Sequence, residues 1–134
     1  MRVVLDANVL VGAFAARGLC YAVFEACLQS HQVILSDRLM AEIAGALRRK
    51  LKLSAASIEA TEAFLREETY IGEAAPVPTS ACRDRNDLHV LGLARATFAD
   101  AIITGDDDLL ALGDYQGIAV LSPRQFWESL RRGP

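Results

Sequence analysis

Four acidic residues stand where the edge of a sheet could gather them: Asp6, Glu42, Asp87 and Asp106. Asp6 directly follows the apolar run Val3-Val4-Leu5, and Asp106 follows Ala101-Ile102-Ile103 after only Thr104 and Gly105. Glu42 falls about one turn into the helical pattern after Val33-Ile34-Leu35. Its neighbours Leu39 and Ile43 make that an awkward place for a purely solvated charge. Asp87 opens another helical pattern, with Asp84 just ahead of it, and helix N-termini favour carboxylates. Two unit charges about 4 Å apart repel by roughly 4 kcal/mol at an effective dielectric near 20. Converging carboxylates must therefore protonate, spread apart or bind a cation. Oxygen donors without histidine or thiolate suit Mg²⁺ or Mn²⁺. Held in this way, one metal or two can activate water and stabilise the leaving oxygen of a phosphodiester.

Taken singly, each acid has an ordinary explanation. An Asp between strand and helix is often an N-cap, and the run Asp106-Asp107-Asp108 would usually face solvent. Alone, Glu42 is more often surface than ligand. The combination carries the reading, because four independent caps need not converge. Asn8 can cap a short helix over residues 9–15 or bond an Asp6 oxygen, and Thr104 can orient water or phosphate near Asp106. His31 and His89 are expected to decorate helices rather than act as bases. Arg48, Arg49, Lys50 and Lys52 form the densest basic stretch, and Arg83 and Arg85 stand beside the acids. The first group can be a solvated helix end or can steer a phosphate backbone towards the acids.

The elements that must position these side chains are legible as apolar patterns. Val3-Val4-Leu5, Val33-Ile34-Leu35, Ala101-Ile102-Ile103 and Ile118-Ala119-Val120-Leu121 do not alternate, as expected of buried parallel strands. Between them, helical spacing predicts helices from Leu19 to about Ser30, over 37–50, from Ser54 or Ser57 to Thr69, and over 87–98. Ile58, Phe64 and Leu65 are the expected buried positions of the third. Ser122, Pro123 and Gln125 announce a last helix by cap, first-turn proline and capping box. Ala74-Ala75-Pro76-Val77-Pro78 breaks helix and is expected to form an irregular edge strand. Strands alternating with helices imply one α/β domain over 1–134, a parallel sheet covered on both sides. The carboxyl ends of such strands face the functional crevice, which aims Asp6 and Asp106 at one edge.

Composition narrows the alternatives. The 134 residues, 52% hydrophobic, are enough for a real core, and no apolar run approaches the roughly 18 residues of a membrane span. Asp6 interrupts any signal-peptide core, so a cytoplasmic protein is expected. Cys20, Cys27 and Cys82 lack CxxC spacing and, with the two distant histidines, make a poor zinc set. A net charge of −3 means that any nucleic-acid contact must be local. No GxxxxGK[ST] loop is present, which disfavours a nucleotide hydrolase. A receiver-type or phosphoryl-transfer domain could use Asp6 as nucleophile, but Asn8 stands where its usual companion acid would be. A catalytically silent module that binds RNA or protein through the same groove is the rival from another class.

Val4-Leu5-Asp6-Ala7-Asn8-Val9-Leu10-Val11 resembles the opening motif of the PIN-domain family, a strand followed by Asp-Thr-Asn-Val. Residues 36–49 around Glu42 resemble the family's second motif. Cys82-Arg83-Asp84-Arg85-Asn86-Asp87 with the following helix resembles the third, and Ile103-Thr104-Gly105-Asp106-Asp107-Asp108-Leu109-Leu110 the fourth. The four appear in family order and span nearly the whole chain. The resemblance, closest in size to the small VapC-like toxin ribonucleases, implies a three-layer α/β/α fold and Mg²⁺- or Mn²⁺-dependent ribonuclease activity. It carries over Asp6, Glu42, Asp87 and Asp106 as the acidic core, Asp84 and Asp108 as auxiliary ligands, and Asn8 and Thr104 as supporting polar groups. It also implies RNA as substrate, a homodimer and a small antitoxin whose tail enters the acidic groove. The chain departs from the pattern at Ala7, where a threonine hydroxyl is common, and at Leu88, where some relatives carry another acid.

Overall fold

The computed structural model describes residues 1–132. Four runs rich in Val, Ile and Leu become central strands: β1 (Arg2–Leu5), β2 (Gln32–Leu35), β4 (Ala101–Ile103) and β6 (Ile118–Leu121). Every side chain from Val3 to Leu5, Val33 to Leu35 and Ala101 to Ile103 is buried, which explains the absence of alternation. Two short strands close the edges, β3 (Tyr70–Ile71) and β5 (Asp114–Tyr115). The sheet order is β3-β2-β1-β4-β6-β5, with all pairings parallel except β5 with β6.

Helices α1 (Ala7–Ala15) and α2 (Leu19–Ser30) connect β1 to β2, and α3 (Asp37–Arg49) and α4 (Ala55–Glu68) connect β2 to β3. The chain then returns past β1, through α5 (Leu88–Ala96), to β4 and on through α6 (Asp107–Leu110). Parallel crossovers are right-handed, so this reversal of direction places α1 to α4 on one face and α5 on the other, against β1 and β4. The last helix, α7 (Pro123–Arg132), returns to α2, where Phe126 meets the edge of His31. The result is a three-layer α/β/α arrangement. No single described helix is long and apolar enough to cross a membrane.

The expected strands and helices are present, with four local differences. Ala74 to Pro78 forms no strand, because it packs on a helix instead: the Ala75 N–H donates to the Gly92 carbonyl at 3.1 Å. A Cβ at Gly92 would strike the Ala75 carbonyl, so this close approach requires glycine. Phe64 is exposed. Ile58 and Leu65, seven residues apart, define the buried stripe of α4, and Phe64 lies about 100° off it. The helix expected over 87–98 is a 3₁₀ turn, Arg85–Asp87, followed by α5; Phe98 lies beyond it in the left-handed region and is 84% exposed. The β5–β6 hairpin has no counterpart in the apolar pattern, since its turn, Gln116-Gly117, places a non-glycine residue at positive φ. The capping box forms as expected: the Gln125 N–H donates to Ser122 Oγ at 3.1 Å, and the Ser122 N–H to Gln125 Oε1 at 2.9 Å.

Candidate active site

The crossover direction reverses between β1 and β4, and their carboxyl ends flank the switch point where open α/β sheets place ligands. Leu5 pairs with Ile103, so Asp6 and Thr104 leave the sheet side by side. The Asp6 N–H donates to the Ile103 carbonyl at 2.9 Å, extending the ladder by one rung and fixing the backbone beneath the carboxylate.

Asp6 is only 6% exposed and heavily bonded, with Oδ1 accepting from the Ala7 N–H at 2.8 Å. Oδ2 accepts from the Thr104 hydroxyl at 2.8 Å and the Asn8 amide at 3.2 Å. Burial raises its pKa most strongly; the Thr104 and Ala7 bonds oppose that, and the charges of Glu42 and Asp106 add to it. Asp6 itself caps α1, which begins at Ala7, so Asn8 is not the cap. Asn8 instead ties two segments together, accepting from the Gly105 N–H at 2.9 Å while donating to Asp6. Thr104 is likewise committed. Fully buried, it donates to Asp6 and accepts from the Asp106 N–H at 3.0 Å. With its proton given to Asp6, Thr104 acts in this arrangement by fixing that carboxylate.

Asp106 caps α6, one oxygen accepting from the N–H groups of Asp108 at 2.9 Å and Leu109 at 3.2 Å. Asp87, at the N-terminus of α5, is the strained member. Its pKa is raised to about 7, first by burial, then by the charges of Asp106 and Asp84, by a hydrogen bond with Asp106 and by Asp6. Two carboxylate oxygens facing each other bond only through a proton. With both ionised, Asp87 Oδ2 is buried with no donor, and a shared proton or a cation is what would satisfy it.

Asp6, Glu42, Asp87 and Asp106 line a single cleft of about 280 Å³ together with Asn8 and Lys50. Four separate chain segments thus supply its acids. Beyond Asp87, the side chains of Asp84, Asp87 and Asp108 each present an oxygen within 4.8 Å of the others. This trio, with the orphaned buried oxygen of Asp87 in it, fits a hard divalent cation; among the described residues no such close group includes Asp6, Glu42 or Asp106, which line the adjoining cleft. Of the basic residues only Lys50, at the C-terminal end of α3, reaches the cleft. Arg48, Arg83, Arg85 and Lys52 lie outside its lining, and the Arg49 guanidinium lies back along α3 near Gly45.

His89 corrects the expectation that it decorates a helix. Its side chain is only 8% exposed, and Nε2 lies 3.0 Å from Glu42 Oε1. Burial and Arg38 lower its pKa, against the pull of Asp6; burial raises that of Glu42, opposed by Arg38. No local sequence signal joins residues on two different helices; only the switch-point topology brings the N-terminal ends of α3 and α5 to the same edge. His31 receives the Met1 ammonium at 3.1 Å, outside the cleft lining. The cysteines are free, Cys27 being buried with its thiol pushed up to about 12.

A doubly wound α/β/α domain with carboxylates gathered at the switch point defines a class, and comparison gives the family. A family model described as PIN domain matches residues 2–108, and the chain belongs to that family. A chain in the crystal structure of VapBC2 from Rickettsia felis, bound to a DNA fragment from their promoter, superposes with a TM-score of 0.62. It is 16% identical, the match covering 91% of this chain and 98% of that one, and it shows the same fold. No curated protein sequence matches the chain.

Proposed function

We propose that this chain is a single-domain, divalent-metal-dependent endoribonuclease, the toxin of a toxin–antitoxin pair. The observation that carries the reading is the convergence of Asp6, Glu42, Asp87 and Asp106 on one cleft, with Asp87 Oδ2 buried and without a donor. PIN-domain membership supports nuclease chemistry. Asp6, Asp87, Asp106 and Glu42 would hold the metal from the cleft side, with Asp84 and Asp108 extending the donor set past Asp87. Bound there, Mg²⁺ or Mn²⁺ would supply Lewis acidity towards a phosphodiester oxygen and lower the pKa of an attacking water.

The chain's own groups do the rest. Three donors fix the Asp6 carboxylate before any ligand arrives, so little reorganisation is needed on binding. Asp87 holds a proton up to about pH 7 and releases it when cationic charge offsets Asp106, Asp84 and Asp6. Lys50 is the one cation among the cleft residues and would hold a substrate phosphate against the acids. With a net charge of −3, binding rests on such local contacts rather than on the protein's overall field.

The neighbouring fold comes from a VapBC complex on promoter DNA, which favours a partner for this chain too: a small antitoxin that inserts a cationic side chain among these acids. A homodimer acting in the cytoplasm completes the reading. The test is cleavage of a mixed structured RNA by purified protein with Mg²⁺, with Mn²⁺ and with EDTA, beside Asp6→Asn. Metal-dependent cleavage lost in the variant is expected; equal cleavage by both proteins, or cleavage that survives EDTA, would overturn it.

A further inference from the structure

We propose that His89 is a positioning residue for Glu42, holding its carboxylate towards the metal cleft through Nε2–H···Oε1. The inference rests on the reading of that cleft as a metal site. Glu42 projects from the second turn of α3, its side chain is 40% exposed, and His89 is its one side-chain hydrogen-bond partner among the described residues. A glutamate on a helix surface has several rotatable bonds and many rotamers in water. Asp6 and Asp106, by contrast, are fixed by backbone N–H groups of their own turns. Glu42 has no such local donor; Arg38, one turn before it on α3, acts on it by charge without a hydrogen bond, and the one directional bond it receives comes from another element.

His89 is built to give it. The ring is anchored by burial in α5, on the opposite face of the sheet from α3, and its bond to Glu42 is the one side-chain hydrogen bond joining these two helices among the described residues. Only an Nε2-bound proton can be donated to an ionised Glu42. Nδ1 is buried with no partner, an arrangement tolerable for a bare ring nitrogen and costly for a second N–H. Geometry therefore selects the Nε2–H tautomer and aims it at the carboxylate. The same ring follows Asp87 by two residues, so the N-terminal end of α5 and the residue that precedes it supply one acid to the cleft directly and set the direction of a second. Side chains that bond to metal-bound groups from outside typically tune affinity tenfold or more.

Two measurements test this. In metal-free protein, a long-range ¹H–¹⁵N spectrum of the imidazoles should show His89 as the Nε2–H tautomer, with a proton shift that moves in Glu42→Gln. An Nδ1–H tautomer, or a signal indifferent to Glu42→Gln, would overturn the proposal whether or not metal binds. The second is Mn²⁺ affinity, read from the free-ion EPR signal. His89→Phe should weaken it about tenfold, while His89→Gln, which keeps a donor near the Nε2 position, should stay within about threefold of wild type. In a Glu42→Gln background His89→Phe should change nothing further. An equal loss in that background would mean a general packing effect and would sink the positioning role. Wild-type protein that binds no Mn²⁺ would overturn the metal reading itself, while the imidazole spectrum tests the bond separately.

Discussion

The two ends of the same sheet are organised on opposite principles. At the amino end Arg2 meets complementary partners, although the hydroxyl of Tyr115, opposite the first residue of β6, is buried without one. The Arg2 N–H donates to Asp100 Oδ2 at 2.8 Å, and Arg2 Nε donates to the Thr97 carbonyl at 2.9 Å, at the C-terminal end of α5. The guanidinium also lies 5.7 Å from the Tyr70 ring centroid. Cation, helix end and aromatic face reinforce each other there. At the carboxyl end like charges are crowded, one carboxylate is held near neutrality, and two buried polar atoms, Asp87 Oδ2 and His89 Nδ1, have no partner. One end is arranged for stability; the other keeps unfavourable contacts that a ligand would relieve. Perturbed acids in a cleft are a mark of function for this reason.

Substitutions should separate the ends. Asp106→Asn should lower metal-dependent cleavage by about 10²-fold or more, as loss of a group acting directly on the reacting centre typically does, with the fold retained by circular dichroism. Normal turnover in that variant would erase the contrast. Lys50→Ala should act more mildly, raising KM for RNA about fivefold and reducing the salt dependence of binding by about 0.7 in log–log slope for one phosphate contact. An effect on kcat alone would mean that Lys50 serves another purpose.

The stability predictions have opposite signs at the two ends. Asp87 has its folded pKa raised from 3.8 to about 7. Below about pH 4 it is protonated whether folded or unfolded. Between about 4 and 7 only the folded state keeps the proton, so stability falls as pH rises through that window. Asp87→Asn should flatten this slope and raise the pH 8 melting temperature by about 3 °C, roughly 1 kcal/mol after solvent screening. A melting curve that instead steepens with pH would show that the carboxylate is stabilised by contacts other than those described. Asp100→Ala, at the compensated end, should lower stability by about 1 kcal/mol and leave turnover unchanged.

The carboxyl end is also the more legible in sequence, though only in part. Asp6 and Asp106 can be placed because each follows an unbroken apolar strand within three residues, and an unbroken strand in a parallel sheet delivers the chain that follows it to the crevice. Glu42 and Asp87 are placed by their position near the N-terminal ends of helices. The bonds that organise these acids are out of reach: Thr104 and Asp6 are 98 positions apart, and Glu42 and His89 share no periodicity. Sequence alone therefore offers Thr104 to water and His89 to a helix surface, where the structure joins Thr104 to Asp6 and buries His89 against Glu42. The sheet edges are equally hidden, since β3 and β5 have two residues each and no pattern can repeat in two residues. Phe64 misleads because hydrophobicity alone does not say which side of a helix faces inward.

The bond between Thr104 and Asp6 also sets a timetable for biosynthesis. β1 is made first, but the last of the three donors that fix Asp6, at the end of the neighbouring β4, is made 98 residues later. At about 5–20 residues per second, that interval lasts roughly 5–20 s. A nascent chain that ends before Ala101 has the first acid and β2 beside it, but neither β4 nor Asp106. Any product that stops before that point would lack the complete acidic groove, and an interacting protein would first find that groove only as translation nears its end.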